Sequence, residues 1–79
     1  MKAKDILKLM NDKGFYPDNI SKRGDIFTLK QSYFYTHGDS ASIWAHRVKE
    51  AVPTAFINSN REDFKVWPKT SNFVVTFTA

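Results

Sequence analysis

Seventy-nine residues without a cysteine make a single domain, residues 1–79, and exclude disulfides, thiolate zinc sites and cysteine nucleophiles together. A chain this short buries only about 60 % of its unfolded surface, so apolar packing has to hold it, and the 42 % hydrophobic and 15 % aromatic content provides the material. Twelve Lys and Arg against eight Asp and Glu give a net charge of +4, a mild positive field that favours anionic partners, while no apolar run approaches the ~18 residues of a membrane span.

Residues 3–13 read as a short helix. Ala3, Ile6, Leu7 and Met10 share one face at the i, i+3, i+4, i+7 spacing, and Gly14 follows at the position where a left-handed residue ends a helix. Phe15 is then placed to fold back on the last apolar turn. The stretch from Tyr16 to Asp25 is polar and turn-rich, with room for a short strand near Ile20 that turns at Arg23-Gly24. From Asp25 to Tyr35 the alternation is that of a strand, with Phe27, Leu29, Tyr33 and Tyr35 in the core phase. Gln31 falls in that phase, so a bulge or a strand end is expected near it.

His37-Gly38-Asp39-Ser40 breaks the strand and opens a second helix, which Asp39 or Ser40 caps by accepting a backbone N–H of the first turn. Ala41, Trp44, Ala45, Val48 and Val52 form its apolar stripe, and Pro53 stops it. Thr54 to Asn58 reads as a short strand, Ser59 to Asp63 as a polar loop, Phe64 to Trp67 as a second short run or irregular edge, and Asn72 to Thr78 as the last strand. In that strand Phe73, Val75 and Phe77 share a face. The expected fold is α+β, with two short helices on one face of a small, mainly antiparallel three- to four-stranded sheet. The order is α-β-α-β-β, with a hairpin as the alternative for the first strand. Trp44, Val48, Phe27, Leu29, Phe73, Val75 and Phe77 are expected to be buried together.

Few motifs carry chemistry. His37, Asp39 and Ser40 crowd into four residues of one corner, a spacing that suits a helix cap better than a catalytic triad, and no strained nucleophile turn is present. His46 lies on the polar side of the second helix. No metal-ligand spacing and no phosphate-cradling glycine loop occurs, so no cofactor, no metal and no enzymatic activity is expected. Arg23-Gly24-Asp25 and Asn19-Ile20-Ser21 match adhesion and glycosylation patterns, but Met1 to Lys13 has alternating charge in place of a signal peptide's apolar stretch. A cytoplasmic, non-membrane protein is expected.

The stretches Phe27-Thr28-Leu29, Tyr33-Phe34-Tyr35-Thr36-His37-Gly38, Ala51-Val52-Pro53 and Ser71 to Phe77 together resemble small uncharacterised accessory proteins of phages and prophages, over residues 25–78. That group has no established activity, so the resemblance implies a mobile-element setting and transfers no site.

Charge and aromatics are the remaining signal. Lys65, Trp67 and Lys69 alternate around Pro68, so that a base could stack on Trp67 while the lysines meet phosphates. Lys30, Arg47 and Lys49 are further candidates for the same surface. Arg23-Gly24-Asp25-Ile26-Phe27 echoes only the opening of the RNP1 motif of RNA-recognition domains; the rest of that motif is absent and the element order differs. The sequence-level expectation is a small binding module for nucleic acid. The alternative is a regulator or inhibitor of a host protein, with exposed rings as anchors.

Overall fold

The first helix, α1, runs Ala3–Asp12 in the computed structural model, which describes residues 1–32, 40–65 and 70–79. Ile6 and Met10 are buried along its inner side. At its start the Asp5 carboxylate accepts the Lys2 backbone N–H at 2.8 Å, where negative charge meets the positive end of the helix dipole. At its end the Gly14 N–H reaches the Asn11 carbonyl and the Phe15 N–H reaches the Met10 carbonyl, both at 2.9 Å. With Gly14 at φ +85°, this is the Schellman closure that the glycine predicts, and it folds Phe15 onto the core.

The first strand position is a hairpin. Strands β1 (Asn19–Arg23) and β2 (Ile26–Ser32) pair antiparallel around Gly24, whose φ is +61°. The loop before β1 is tied to the far end of β2: the Asp18 carboxylate accepts the Ser32 N–H at 2.8 Å, and the Asp18 N–H donates to Gln31 Oε1 at 3.0 Å. Gln31 does not bulge: it pairs in register with Phe73 one residue before β2 ends at Ser32, and its amide occupies a half-buried position in place of an apolar side chain. Tyr33, Tyr35 and the His37-Gly38-Asp39 corner lie outside the described residues.

The second helix, α2, spans Ala41–Ala51. Ser40 Oγ accepts the Ile43 N–H at 3.2 Å and caps it. Ala41, Trp44, Ala45, Val48 and Ala51 are buried, and Val52 ends the helix before Pro53.

One expectation is corrected downstream. Ser59 to Asp63 is not a loop; it is the middle of a ten-residue strand, β3 (Phe56–Lys65), which joins the two short runs expected on either side. The ladder to β4 (Thr70–Thr78) pairs Ile57 with Phe77 and Ser59 with Thr76, so Asn58 is an extra, bulged residue. The bulge breaks the alternation that would have marked the strand. Beyond it, Asn60 and Glu62 pair with the core residues Val75 and Phe73 yet stay exposed.

The strand order is β1-β2-β4-β3, all antiparallel, which makes an α+β fold of order α-β-β-α-β-β. The core lies between the helices and one face of the sheet. Ile6 and Met10 of α1 and Trp44 and Val48 of α2 meet Phe27 and Leu29 of β2 and Phe73, Val75 and Phe77 of β4. Phe27 and Phe77 pair in register, and their rings stack with centroids 5.3 Å apart. The seven residues expected to share a core do so. Among the described residues, no helix is long and apolar enough to cross a membrane.

Candidate functional site

Side chains alternate along a strand, so every residue out of phase with the core faces away from both helices. No described element packs on that second face. Strand register sorts its residues into rows that cross the sheet.

The first row holds Arg23 of β1, paired with Ile26 of β2, and Phe56 of β3, paired with Thr78 of β4. Ile26 is 40 % exposed and Phe56 67 % exposed. The second row is four hydroxyl side chains, one from each strand: Ser21, Thr28, Thr76 and Ser59. Ser59 and Thr76 bond each other at 2.6 Å through their hydroxyl oxygens. The third row is Asn19, Lys30, Val74 and Arg61. Lys30 and Arg61 are exposed, whereas Val74 between them is buried, apart from the helix-side cluster. A fourth row, Ser32, Asn72 and Asp63, closes the face.

The face is therefore zoned along β2, β4 and β3: Ile26 and Phe56 at one end with Arg23 beside them on β1, a hydroxyl row next, and Lys30 and Arg61 flanking Val74 beyond. Arg61 shares its charge with Asp63, with Nε and one terminal nitrogen on the two carboxylate oxygens at 2.9 and 3.3 Å. Both side chains are about half exposed, so solvent screens this pair and it is broken at small cost. Arg23 and Lys30 have no ion pair among the described residues.

The sequence-derived candidates separate. Lys30 stands in the third row. Lys65 ends β3 with its backbone opposite Thr70, and Trp67 and Lys69 lie outside the described residues. Arg47 and Lys49 belong to α2, on the opposite side of the sheet. Lys49 is exposed in the last turn of the helix, where it complements the helix dipole. Arg47 is half-buried, its guanidinium 4.7 Å from the Trp44 ring and 5.5 Å from the Phe15 ring. It serves as a packing residue between α2 and the end of α1.

Arg23, Arg61, Ile26 and Phe56 were not singled out by sequence reasoning. A signal for two of them was present. Ile26-Phe27 and Phe56-Ile57 are adjacent apolar pairs at the starts of strands, and alternation allows only one member of each pair to face the helices. Phe27 and Ile57 take the inner side, which sends Ile26 and Phe56 outward.

The chain matches no protein-family model, no curated protein and no solved structure.

Proposed function

We propose that this protein is a small, non-enzymatic binding module that takes nucleic acid on the sheet face opposite its helices. The observation that supports this reading is the zoning of that face, with Arg23, Lys30 and Arg61 standing among exposed or half-exposed hydroxyl and amide side chains. Guanidinium and ammonium groups meet phosphates, and hydroxyl and amide groups hydrogen-bond sugars and base edges. An antiparallel sheet face on which no described element packs is also the kind of platform from which other domains read single-stranded RNA. The phage-type resemblance fits a small cytoplasmic accessory protein of this kind.

Binding through this face is dominated by phosphate contacts and is steeply salt-dependent. Its affinity falls in the range of non-specific binders, about 10⁻⁶ to 10⁻⁴ M at physiological salt. The test is a fluorescence anisotropy titration of labelled oligonucleotides over a series of salt concentrations. A log–log slope of about −2 is expected from three phosphate contacts on a single strand. No binding at low salt would remove the reading.

A second reading is a regulator or inhibitor of a host protein. It is favoured by β3, a ten-residue strand whose outer backbone side has no neighbouring strand among the described residues. Such an edge pairs readily with an extended segment of another chain. A pull-down from host lysate in which captured protein survives nuclease treatment would favour it over the first.

A further inference from the structure

We infer that Phe56 is a stacking platform for an unpaired base, which makes the ligand of this face a single-stranded polynucleotide. The inference rests on the reading of the face as a nucleic-acid interface and goes further by naming the strandedness of the ligand and the residue that selects it.

Phe56 opens β3, in register with Thr78, and is 67 % exposed, while its neighbour Ile57 packs against the core. Among the described residues, no ring or cation contact holds the Phe56 side chain. Phe27 and Phe73 are buried and Phe15 is half-buried, so Phe56 is exceptional among the phenylalanines whose side chains are described. Its row continues across Thr78 to Ile26, about 10 Å away at two strand spacings, and then to Arg23.

The chemistry of the neighbouring rows fits one occupant. From Thr78 to Val74 along β4, four residues of extended chain carry the surface roughly 14 Å from the apolar row to the row of Lys30 and Arg61. The hydroxyl row lies between. A strand crossing the face in this direction would set a base on Phe56, backbone sugar over Ser59 and Thr76, and the phosphates of a neighbouring nucleotide toward Lys30 and Arg61. A lone apolar row would accept many partners. Exposed Phe56 and Ile26, then hydroxyls, then Lys30 and Arg61 follow the base, sugar and phosphate chemistry of a strand laid along the face. Stacking requires a free base face, which a duplex does not present within its length.

The experiment uses the full chain in anisotropy titrations at one low salt concentration. The probes are fluorescein-labelled oligo(U), oligo(dT) and a mixed-sequence DNA duplex of the same length. Wild-type protein is expected to bind single strands more tightly than the duplex, and the two single-stranded probes tell RNA from DNA preference. Phe56→Ala should weaken single-strand binding about five- to 150-fold, the range seen when one stacked base loses its ring. Its salt slope and duplex binding should stay unchanged. Phe56→Trp should restore or exceed wild-type affinity. The exposed position makes loss of folding by these variants unexpected, and circular dichroism verifies it. Equal binding of all probes by wild type, or a Phe56→Ala variant with wild-type affinity, overturns the inference and leaves the nucleic-acid interface standing. No binding of any probe removes both.

Discussion

The Arg47 guanidinium lies 4.7 Å over the ring of Trp44, one helical turn away on α2, and 5.5 Å from the ring of Phe15 beyond the end of α1. One cation thereby bridges the two helices through their aromatic side chains. Replacing it with Ala is expected to lower stability by about 1 kcal/mol, from lost cation–π attraction and lost cover over the rings. Nucleic-acid affinity should be unchanged, because Arg47 sits on the side of the sheet away from the zoned face. Urea denaturation together with an anisotropy titration separates the two effects. A stable Arg47→Ala protein with weakened binding would return this residue to the interface.

Trp44 is 4 % exposed at the centre of the helix–sheet contact. Truncation to Ala should cost about 3–5 kcal/mol, a large part of the total for so small a domain. Its indole N–H finds no acceptor among the described residues. Trp44→Phe removes that unsatisfied donor while keeping a ring in place, so its cost should fall well below that of Ala. Equal losses in the two variants, measured by chemical denaturation, would contradict this packing.

The helix ends are expected to be individually sensitive. Ser40→Ala removes the cap of α2 and should cost about 0.5–2 kcal/mol, with Ser40→Asp close to wild type. Gly14→Ala meets nothing within 4 Å, so its cost is that of the backbone alone. Holding a non-glycine residue at positive φ costs about 1–2 kcal/mol. Thermal melts of the three variants check both values.

Asn58 offers a test of register. Removing the bulged residue leaves Ile57 facing the core and Ser59 facing away, which regularises the ladder without moving any side chain to the other face. A chain lacking Asn58 should therefore fold cooperatively. A chain lacking Thr76 should not, because every residue on one side of the gap in β4 would swap faces. Circular dichroism melts of the two deletions should differ plainly; matching melts would show that the bulge does not set the register.

Lys30 is a sequence-derived candidate whose strand position puts it on the zoned face. Lys30→Ala should weaken single-strand binding and reduce the steepness of the salt dependence by about 0.7, the contribution of one phosphate contact on a single strand. Lys49→Ala, on the helix side, should leave the slope alone. If Lys49→Ala and Lys30→Ala change the slope equally, the ligand does not lie on the sheet.

The helices and the two central strands were legible because their signals are local and agree with one another. The Trp44–Val48 stripe with Ser40 before it, the Gly14 stop with Phe15 after it, and the alternation of Phe73, Val75 and Phe77 each name an element and its inner face. The middle of β3 was not legible. Asn58 shifts its phase, and Asn60 and Glu62 hold core-phase positions yet stay exposed, so polarity there reports the edge of the core and not a loop. The site was harder still. Lys30 could be proposed from charge, but Arg61 is brought into its row only by the order of the strands, and Arg23 onto the same face two rows away, which no local pattern announces. Arg47 went the other way: a basic residue on a helix surface gives no sign that two rings will receive it.

The strand order also bears on how the chain reaches this structure. Strands β1 and β2 are neighbours in sequence, as are β3 and β4, so each pair forms by short-range closure. The junction of β2 with β4 joins residues as far apart as Phe27 and Phe77. It brings together Phe27, Leu29, Phe73, Val75 and Phe77, most of what the helices rest upon. Neither hairpin alone offers a complete surface for α1 and α2, and closing the long loop between them costs entropy before any burial compensates. The barrier to folding should accordingly be the docking of the two hairpins. Mutations at the Phe27–Phe77 junction should slow folding, while mutations in the β1–β2 turn should act mainly on unfolding.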